Sequence, residues 1–216
     1  KTPVKGEGVT AKAAIEKSCT SFNPATHQIT WKVVVNKNYQ GLTNSFVTEY
    51  IKDGQKFVSI SNADITAKDG TKSTLDLQDK YTVNGKEIEI NFGDSLKQAQ
   101  ATFTVVTELD ETQASIWAGN EKKTYYNEVE LDSDQQKDIK DDASCEYKST
   151  VFEKVSSDYN YETHEITYTL TVDRNKMAMS DVVVTDDIGS LGMSLSSDVT
   201  LVHGYGTSSA HSTTLT

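Results

Sequence analysis

The sequence predicts an all-β protein that contains two related domains in tandem, and two observations carry this prediction. First, nearly every segment with a clear pattern alternates apolar and polar residues with a period of two, which is typical of strands with one buried face. Second, residues 15–51 recur at 152–188 without a gap, so that Lys17 and Lys154 stand 137 residues apart (154 − 17). A repeat with so long a period indicates tandem domains and not a solenoid of small units.

Strands are predicted in order along the first domain, with turn residues between them. In Gln28–Val35, every second residue is apolar and shares one face. Asn84-Gly85 stands between two alternating segments and predicts a β-hairpin. Short strands with turns about every eight to twelve residues are typical of an immunoglobulin-like β-sandwich. The further predicted strands are Ser45–Ile51, Phe57–Ile60, Tyr81–Val83, Glu87–Phe92, Ala101–Val106 and Tyr125–Leu131.

The repeat also predicts the domain boundaries and an incomplete second domain. By the shift of 137 residues, Thr216 corresponds to Asp79, so the second domain lacks counterparts of the later strands of the first. Half a sandwich exposes apolar faces and open strand edges. We therefore expect that a longer chain, or a segment of a neighbouring chain, completes it. The predicted organisation is a lead-in segment at 1–9, a first immunoglobulin-like domain at 10–131, a polar linker at 132–143 and the N-terminal part of a second such domain at 144–216.

Composition and motifs narrow the classes of function. The chain has 21 lysines and arginines against 32 aspartates and glutamates, a formal net charge of −11, and nucleic-acid binding needs a basic surface instead. No apolar run has the length of a membrane span. The chain opens at Lys1 without a signal peptide, so export and anchoring signals are expected outside it. We recognise no phosphate-binding loop, hydrolase triad or metal-ligand cluster, and expect no enzyme acting on external substrates, no cofactor and no metal.

Three polar residues of the first domain lie on strand faces that are otherwise apolar. Lys17, Glu49 and Asn127 each alternate with apolar neighbours, and this pattern places their side chains towards the core. The second domain repeats the lysine and the carboxyl as Lys154 and Asp186. Buried lysines and carboxyls are costly unless they are paired or uncharged. A group of this kind therefore requires an explanation.

Two interpretations of these residues remain open at this point. Burial lowers the pKa of a lysine and raises that of a carboxyl, so Lys17 can act as a free amine beside a protonated Glu49. The amine can then attack the Asn127 carboxamide, with Glu49 relaying protons as ammonia leaves, which gives an intramolecular isopeptide bond. The alternative is a buried salt bridge between Lys17 and Glu49 with Asn127 as a hydrogen-bonding neighbour. Spacing alone favours the salt bridge, whereas the duplicated lysine–carboxyl pair favours the reaction.

Five motifs stand out in the first domain: Ile29–Asn38, Val47–Glu49, Asp53–Gln55, Ile88–Asp94 and Tyr125–Val129. Together they resemble the collagen-binding-type (Cna-like) domains of Gram-positive cell-wall surface adhesins. The resemblance covers nearly all of the first domain and the available part of the second. It implies immunoglobulin-like domains in tandem, an isopeptide bond between Lys17 and Asn127, and Glu49 as the carboxyl that promotes it. Asp186 and Lys154 match the same roles in the second domain, where the asparagine position falls beyond the sequence.

The resemblance also implies a function in attachment outside the cell. The chain is expected to be part of a secreted, cell-wall-anchored surface protein that supports colonisation or virulence. It would bind a host extracellular-matrix protein or glycan, or form a stalk that presents a binding domain, with no insertion into the membrane. The alternative is a carbohydrate-binding or accessory module of a secreted enzyme, which a cluster of exposed aromatic side chains would favour.

The two cysteines are not equivalent under the repeat. Cys19 lies in the first domain, and Cys145 lies where the second is predicted to begin. Two cysteines in an extracellular chain indicate a disulfide, which would then join the two domains. Two free, buried thiols are the alternative.

Overall fold

A computed structural model describes residues 14–110, 112, 122–174, 176, 179–204 and 210–215, and it confirms the all-β prediction. The predicted lead-in segment at 1–9 lies outside the described residues. Within the described ranges, no helix is both long and apolar enough to cross a lipid bilayer. The strands, in chain order, are β1 (Ile15–Asn23), β2 (Gln28–Val35), β3 (Ser45–Ile51), β4 (Gln55–Ile60), β5 (Ala63–Ala67), β6 (Lys72–Leu75), β7 (Tyr81–Asn84), β8 (Glu87–Gly93), β9 (Ala99–Leu109), β10 (Lys122–Asp132), β11 (Ile139–Lys148), β12 (Phe152–Ser156), β13 (Tyr168–Val172), β14 (Val199–His203) and β15 (His211–Leu215).

The chain divides into two compact units. Unit 1 comprises Lys1–Phe152 and Val172–Lys176, and unit 2 comprises Glu153–Thr171 and Met177–Thr216. Unit 1 is a sandwich of two antiparallel sheets. The first sheet has the order β1-β2-β9-β5-β6, and β4 pairs with the part of β9 that β5 leaves free. The second sheet has the order β11-β10-β3-β8-β7.

The core of unit 1 lies between the inward faces of these two sheets. Every second residue of β9 is buried, from Ala99 to Leu109, as its alternating sequence requires. Each large apolar side chain that is fully buried contributes roughly 1.5–3 kcal/mol to the free energy of folding. The largest apolar ones are Trp31, Phe103, Ile15, Ile29, Leu42, Leu77, Ile88, Ile90, Leu96 and Leu131.

The hairpin predicted around Asn84-Gly85 is confirmed. β7 and β8 pair in antiparallel register, with Tyr81 opposite Ile90 and Asn84 opposite Glu87. Gly85 has a φ of 63°, a left-handed conformation that glycine adopts without steric cost. The turn therefore sets the register of the two strands.

The segment 132–143, predicted as a polar linker, instead forms the end of β10, a loop at 133–138 and the start of β11. β11 pairs with β10 from Leu131 opposite Ile139 to Lys122 opposite Lys148, so it belongs to the second sheet of unit 1. The physical reason for the difference is that β11 is an edge strand. Its outward residues face water, and its polar composition therefore looks like that of a linker. The first sandwich accordingly extends beyond 131, and the boundary between the units falls after Phe152.

A disulfide joins Cys19 in β1 to Cys145 in β11, with the Cα atoms 5.4 Å apart. Each of these strands stands at the edge of its own sheet, so the bond closes one side of the sandwich. Both cysteines lie in unit 1. The bond therefore connects two sheets of one domain, and not two domains as the predicted boundary implied.

Unit 2 repeats the first hairpin of unit 1 but has no comparable core. β12 and β13 pair as a two-stranded sheet, at positions that the shift of 137 residues relates to parts of β1 and β2. None of the described residues of unit 2 is buried. Many of its apolar side chains are exposed instead, including Val183, Leu191, Leu195 and Leu201. That further strands cover these faces stays a prediction.

The new boundary makes a prediction about fragments. We expect residues 1–152 to unfold in one cooperative transition, because they contain β11 and the disulfide. Residues 1–131 lack both, and losing the disulfide alone costs about 4–5 kcal/mol for a loop of this length. Thermal melting followed by circular dichroism, with gel filtration, would measure the difference. A monomeric 1–131 fragment with an unchanged melting temperature would contradict the assignment of β11 to unit 1.

Candidate functional site

Lys17 and Glu49 meet in the core of unit 1 from opposite sheets. Lys17 lies in β1, at the edge of the first sheet, and Glu49 lies in the middle of β3, inside the second. The Lys17 Nζ atom is 2.7 Å from Glu49 Oε1 and 2.5 Å from Oε2. Both side chains have an exposed fraction of 0%. The alternating pattern that places apolar neighbours inward therefore also brings these two groups into contact.

Asn127 lies beside this pair on the neighbouring strand β10. In the register of β3 and β10, Glu49 is opposite Val129 and Ile51 is opposite Asn127. Asn127 is thus a diagonal neighbour of Glu49 on the same inward face, where Cβ atoms stand roughly 7 Å apart. Its side-chain nitrogen and oxygen are both buried and have no hydrogen-bond partner within the described part of the chain. An unpaired buried amide costs about 1–3 kcal/mol, so this carboxamide is an unusual feature.

Burial controls the protonation of the pair. Removal from water lowers the pKa of Lys17, and the nearby Glu49 only partly offsets this effect. Burial likewise raises the pKa of Glu49, against the opposing influence of Lys17. Both directions favour an uncharged amine beside a protonated carboxyl. An uncharged amine has a free lone pair, and a protonated carboxyl can donate a proton.

Further groups hold the lysine and its surroundings. The backbone N–H of Lys17 donates to Asp141 Oδ2 at 2.7 Å, which ties β1 to β11 beside the disulfide. The ring of Trp31 lies 5.8 Å from the Lys17 Nζ atom, measured to the ring centroid. Trp31 is in turn hydrogen-bonded to Thr107, and Thr107 to Gln55. All of these except Asp141 are buried.

Sequence reasoning missed Gln55 and Thr107 as part of the site. A signal for Thr107 was present, because it alternates with Val105 and Leu109 on the inward face of β9. This is the same signal that identified Lys17. Gln55 gives no such signal, because it directly follows the turn at Asp53-Gly54.

The second lysine–carboxyl pair has the same contact in a more open setting. Lys154 Nζ lies 2.7 and 2.9 Å from the two oxygens of Asp186. Its nitrogen also stands 4.2 Å from the ring centroid of Tyr168, which the shift of 137 residues relates to Trp31. The exposed fractions of the Lys154 and Asp186 side chains are 30% and 32%. The repeat therefore reproduces the contact but not its burial.

A group of carboxylates occurs at the turn between β10 and β11. Oxygen atoms of Glu130, Asp132 and Asp138 lie within 4.8 Å of one another. Glu130 already accepts hydrogen bonds from Tyr50 and pairs with Lys140, and Asp132 accepts the backbone N–H of Asp138. These contacts explain why the three carboxylates lie close together, as part of the structure of the turn.

Comparisons with known proteins found proteins of similar structure, but none that matches by sequence. No family model matches the chain, and no curated protein matches it in sequence. It is similar to the collagen-binding domain of a Staphylococcus aureus adhesin, with 13% identity over 62% of this chain and 98% of the other, at a TM-score of 0.46. It is also similar to the Enterococcus faecalis adhesin ACE, with 16% identity over 66% and 52% of the two chains, at a TM-score of 0.47. A third similar structure is the major pilin SpaD of Corynebacterium diphtheriae, with 13% identity over 66% and 35%, at a TM-score of 0.40.

The buried pair makes a prediction about the pH dependence of stability. In Lys17→Met, nothing offsets the burial that raises the pKa of Glu49. A carboxyl whose pKa is higher in the folded state than in the unfolded state binds more protons when folded. Its contribution to stability is therefore fully present below the unfolded pKa of about 4.3, and it is lost as the pH rises through the folded pKa. We expect the free energy of unfolding of this variant to fall by up to about 1.4 kcal/mol per pH unit across that range.

Urea denaturation at a series of pH values would measure this slope. Lys37→Met is the matched control, because it removes a lysine from a pair with Glu16 whose side chains are partly exposed. The control should show no such slope. If Lys17→Met were equally stable at pH 4 and pH 8, Glu49 would not be held uncharged by burial.

Proposed function

We propose that unit 1 is a self-cross-linking β-sandwich module of an extracellular attachment protein, in which Lys17 and Asn127 form an isopeptide bond promoted by Glu49. One observation carries the proposal. The Asn127 carboxamide is buried without a hydrogen-bond partner in the described structure, and its diagonal neighbour is a buried lysine–glutamate pair. A salt bridge alone explains the Lys17–Glu49 contact, but it gives no reason to bury an unpaired amide beside it.

The reaction would proceed by nucleophilic substitution at the carboxamide carbon. The lone pair of Lys17 Nζ attacks Asn127 Cγ, and a new C–N bond forms. Glu49 donates its proton to the departing Nδ2 group and takes a proton from the attacking nitrogen. The Cγ–Nδ2 bond then breaks and ammonia leaves. The products are a secondary amide and ammonia, Glu49 regains its starting state, and no other reactant is needed.

A bond at this position would strongly restrict the unfolded chain. It would close a loop between residues that are 110 positions apart (127 − 17). By analogy with a long-loop disulfide, the restriction stabilises the folded state by about 4–5 kcal/mol. Unlike a disulfide, the amide would resist reducing agents. The Cys19–Cys145 disulfide also supports a location outside the cell, where such bonds persist.

The second part of the proposal is that the protein attaches to a host extracellular-matrix protein or a glycan. The sequence motifs shared with cell-wall adhesins support it, and the net charge of −11 argues against a nucleic-acid partner. Unit 1 would bind the partner directly or form a rigid stalk that presents a binding domain. In unit 2, Lys154 and Asp186 would take the roles of Lys17 and Glu49 once a strand carrying an asparagine lies beside them.

The alternative, a carbohydrate-binding or accessory module, has one observation in its favour. Tyr159 and Tyr161 are exposed and in contact, with ring centroids 5.0 Å apart. Their planes meet at 88°, however, and a sugar ring stacks best on a flat platform. A solid-phase binding screen of immobilised matrix proteins and glycans distinguishes these functions. Binding to glycans that Tyr161→Ala abolishes would favour the alternative.

The cross-link predicts a loss of mass. After reduction of the disulfide, the intact chain should be lighter than its sequence requires by one ammonia. Lys17→Ala and Asn127→Ala should each restore the full mass, because each removes one reacting group. A wild-type chain of full mass would refute the cross-link.

Glu49→Gln tests the role of the carboxyl. This variant keeps the shape of the side chain but removes the transferable proton, so we expect the loss of ammonia to stop or to slow by at least about 100-fold. Glu16→Gln, at an exposed position of β1, is the matched control and should react like wild type. Equal rates for Glu49→Gln and wild type would show that another group promotes the bond.

A further inference from the structure

A series of three linked hydrogen bonds, two of them buried and the last partly buried, crosses unit 1 from one sheet to the other. The Trp31 Nε1–H group donates to Thr107 Oγ1 at 3.0 Å, and the Thr107 hydroxyl donates to Gln55 Oε1 at 2.8 Å. Gln55 Nε2 then donates to the backbone carbonyl of Tyr126, also at 2.8 Å. Because the indole N–H at one end can only donate and the backbone carbonyl at the other end can only accept, the direction of every bond in the series is fixed. Trp31, Thr107 and Gln55 are all buried.

The two ends of this series of hydrogen bonds lie beside the two groups that would react. At one end, the ring of Trp31 packs near the Lys17 amine, with 5.8 Å between the ring centroid and Nζ. At the other end, the Tyr126 carbonyl belongs to the peptide group whose nitrogen is that of Asn127. Neither Gln55 nor Thr107 hydrogen-bonds to Lys17, Glu49 or Asn127 side chains in the described structure. Their influence on the site is therefore through position and not through the reacting atoms.

The place of Gln55 in the fold explains its hydrogen bond to β10. Asn127 opposite Ile51 is the last pair between β10 and β3. Beyond Ile51 the chain leaves the second sheet through Gly54, whose φ is 80°, and enters β4 in the first sheet. The Tyr126 carbonyl thus lies where β10 no longer pairs with β3, while β11 still pairs with its other edge. The side chain of Gln55 supplies the missing hydrogen bond and holds β10 in place at Asn127.

We infer that Gln55 and Thr107 are positioning residues for the isopeptide bond, fixing the Asn127 backbone and the Trp31 ring so that the amine and the carboxamide meet. This inference rests on the proposed cross-linking reaction. A reaction between two held groups depends steeply on their geometry, and a displacement of about 1 Å can slow it roughly 100-fold. The series of hydrogen bonds fixes both reactants relative to one another, although neither Gln55 nor Thr107 takes part in the chemistry.

Substitutions at Thr107 separate positioning from packing. Thr107→Val keeps the shape of the side chain but removes its hydroxyl. The hydrogen bonds of Thr107 to Trp31 and to Gln55 are then lost. Thr107→Ser retains the hydroxyl and should rescue the reaction. Thr102→Val is the matched control, because Thr102 lies in the same strand on its outward side. Gln55→Met removes the bond to Tyr126 with a side chain of similar length.

The measurement is the time course of ammonia loss in freshly synthesised full-length chain, followed by intact mass after reduction. We expect Thr107→Val and Gln55→Met to lower the rate constant about 10- to 100-fold, while Thr107→Ser and Thr102→Val stay within about threefold of wild type. The mid-points of the pH–rate profile should not move, because Lys17 and Glu49 are unchanged. A purely structural role would instead reduce the fraction of molecules that ever reacts and leave the rate constant of the folded molecules unaltered.

The outcomes distinguish the inference from the function on which it rests. If wild type loses no ammonia, the cross-link and the inference both fall. If wild type reacts, and Thr107→Val and Gln55→Met react at the same rate, the inference alone is overturned. Should Thr107→Val fail to fold, Gln55→Met decides the question by the same rate comparison.

Discussion

The contact between Lys17 and Glu49 is the constraint around which unit 1 is arranged. Two ionisable groups can remain in an apolar core only if they neutralise or pair with each other, since an isolated buried charge is very costly. β1 must therefore face β3 across the sandwich, and the inward alternation of both strands must keep its phase. A shift of either strand by one residue would turn its polar group outward and break the pair. The pair thus fixes register as well as chemistry.

The sequence predicted those parts of the fold that depend on alternation and turn chemistry. The inward positions of Lys17, Glu49 and Asn127 follow from their apolar neighbours, because residues two apart in a strand share a face. The strand β11 was not predicted, because its outward residues are all polar and Asp141 interrupts the apolar residues of its inward face. The role of Gln55 depends on where β3 leaves its sheet, and only the tertiary structure shows this.

The two units provide an internal comparison between contact and burial. Lys154 and Asp186 meet in unit 2 at nearly the same distances as Lys17 and Glu49, although few of the surrounding strands are present. Strand β12, which carries Lys154, and the segment around Asp186, 32 residues further along, are therefore enough to bring these two side chains together. Their burial depends instead on the later strands, which in unit 1 cover both faces. The burial that lowers the pKa of Lys17 and raises that of Glu49 consequently comes from the completed sandwich.

The disulfide has a mechanical consequence for a chain under tension. Cys19 lies in the first strand of unit 1 and Cys145 in the last strand of its second sheet, 126 residues apart. A force applied along the chain on either side of these residues passes directly through the sulfur–sulfur bond. The residues between them would span about 400 Å if extended, and the bond keeps the two ends of this segment together. As long as the bond is intact, stretching releases none of this hidden length, and the unit behaves as a link of nearly constant length.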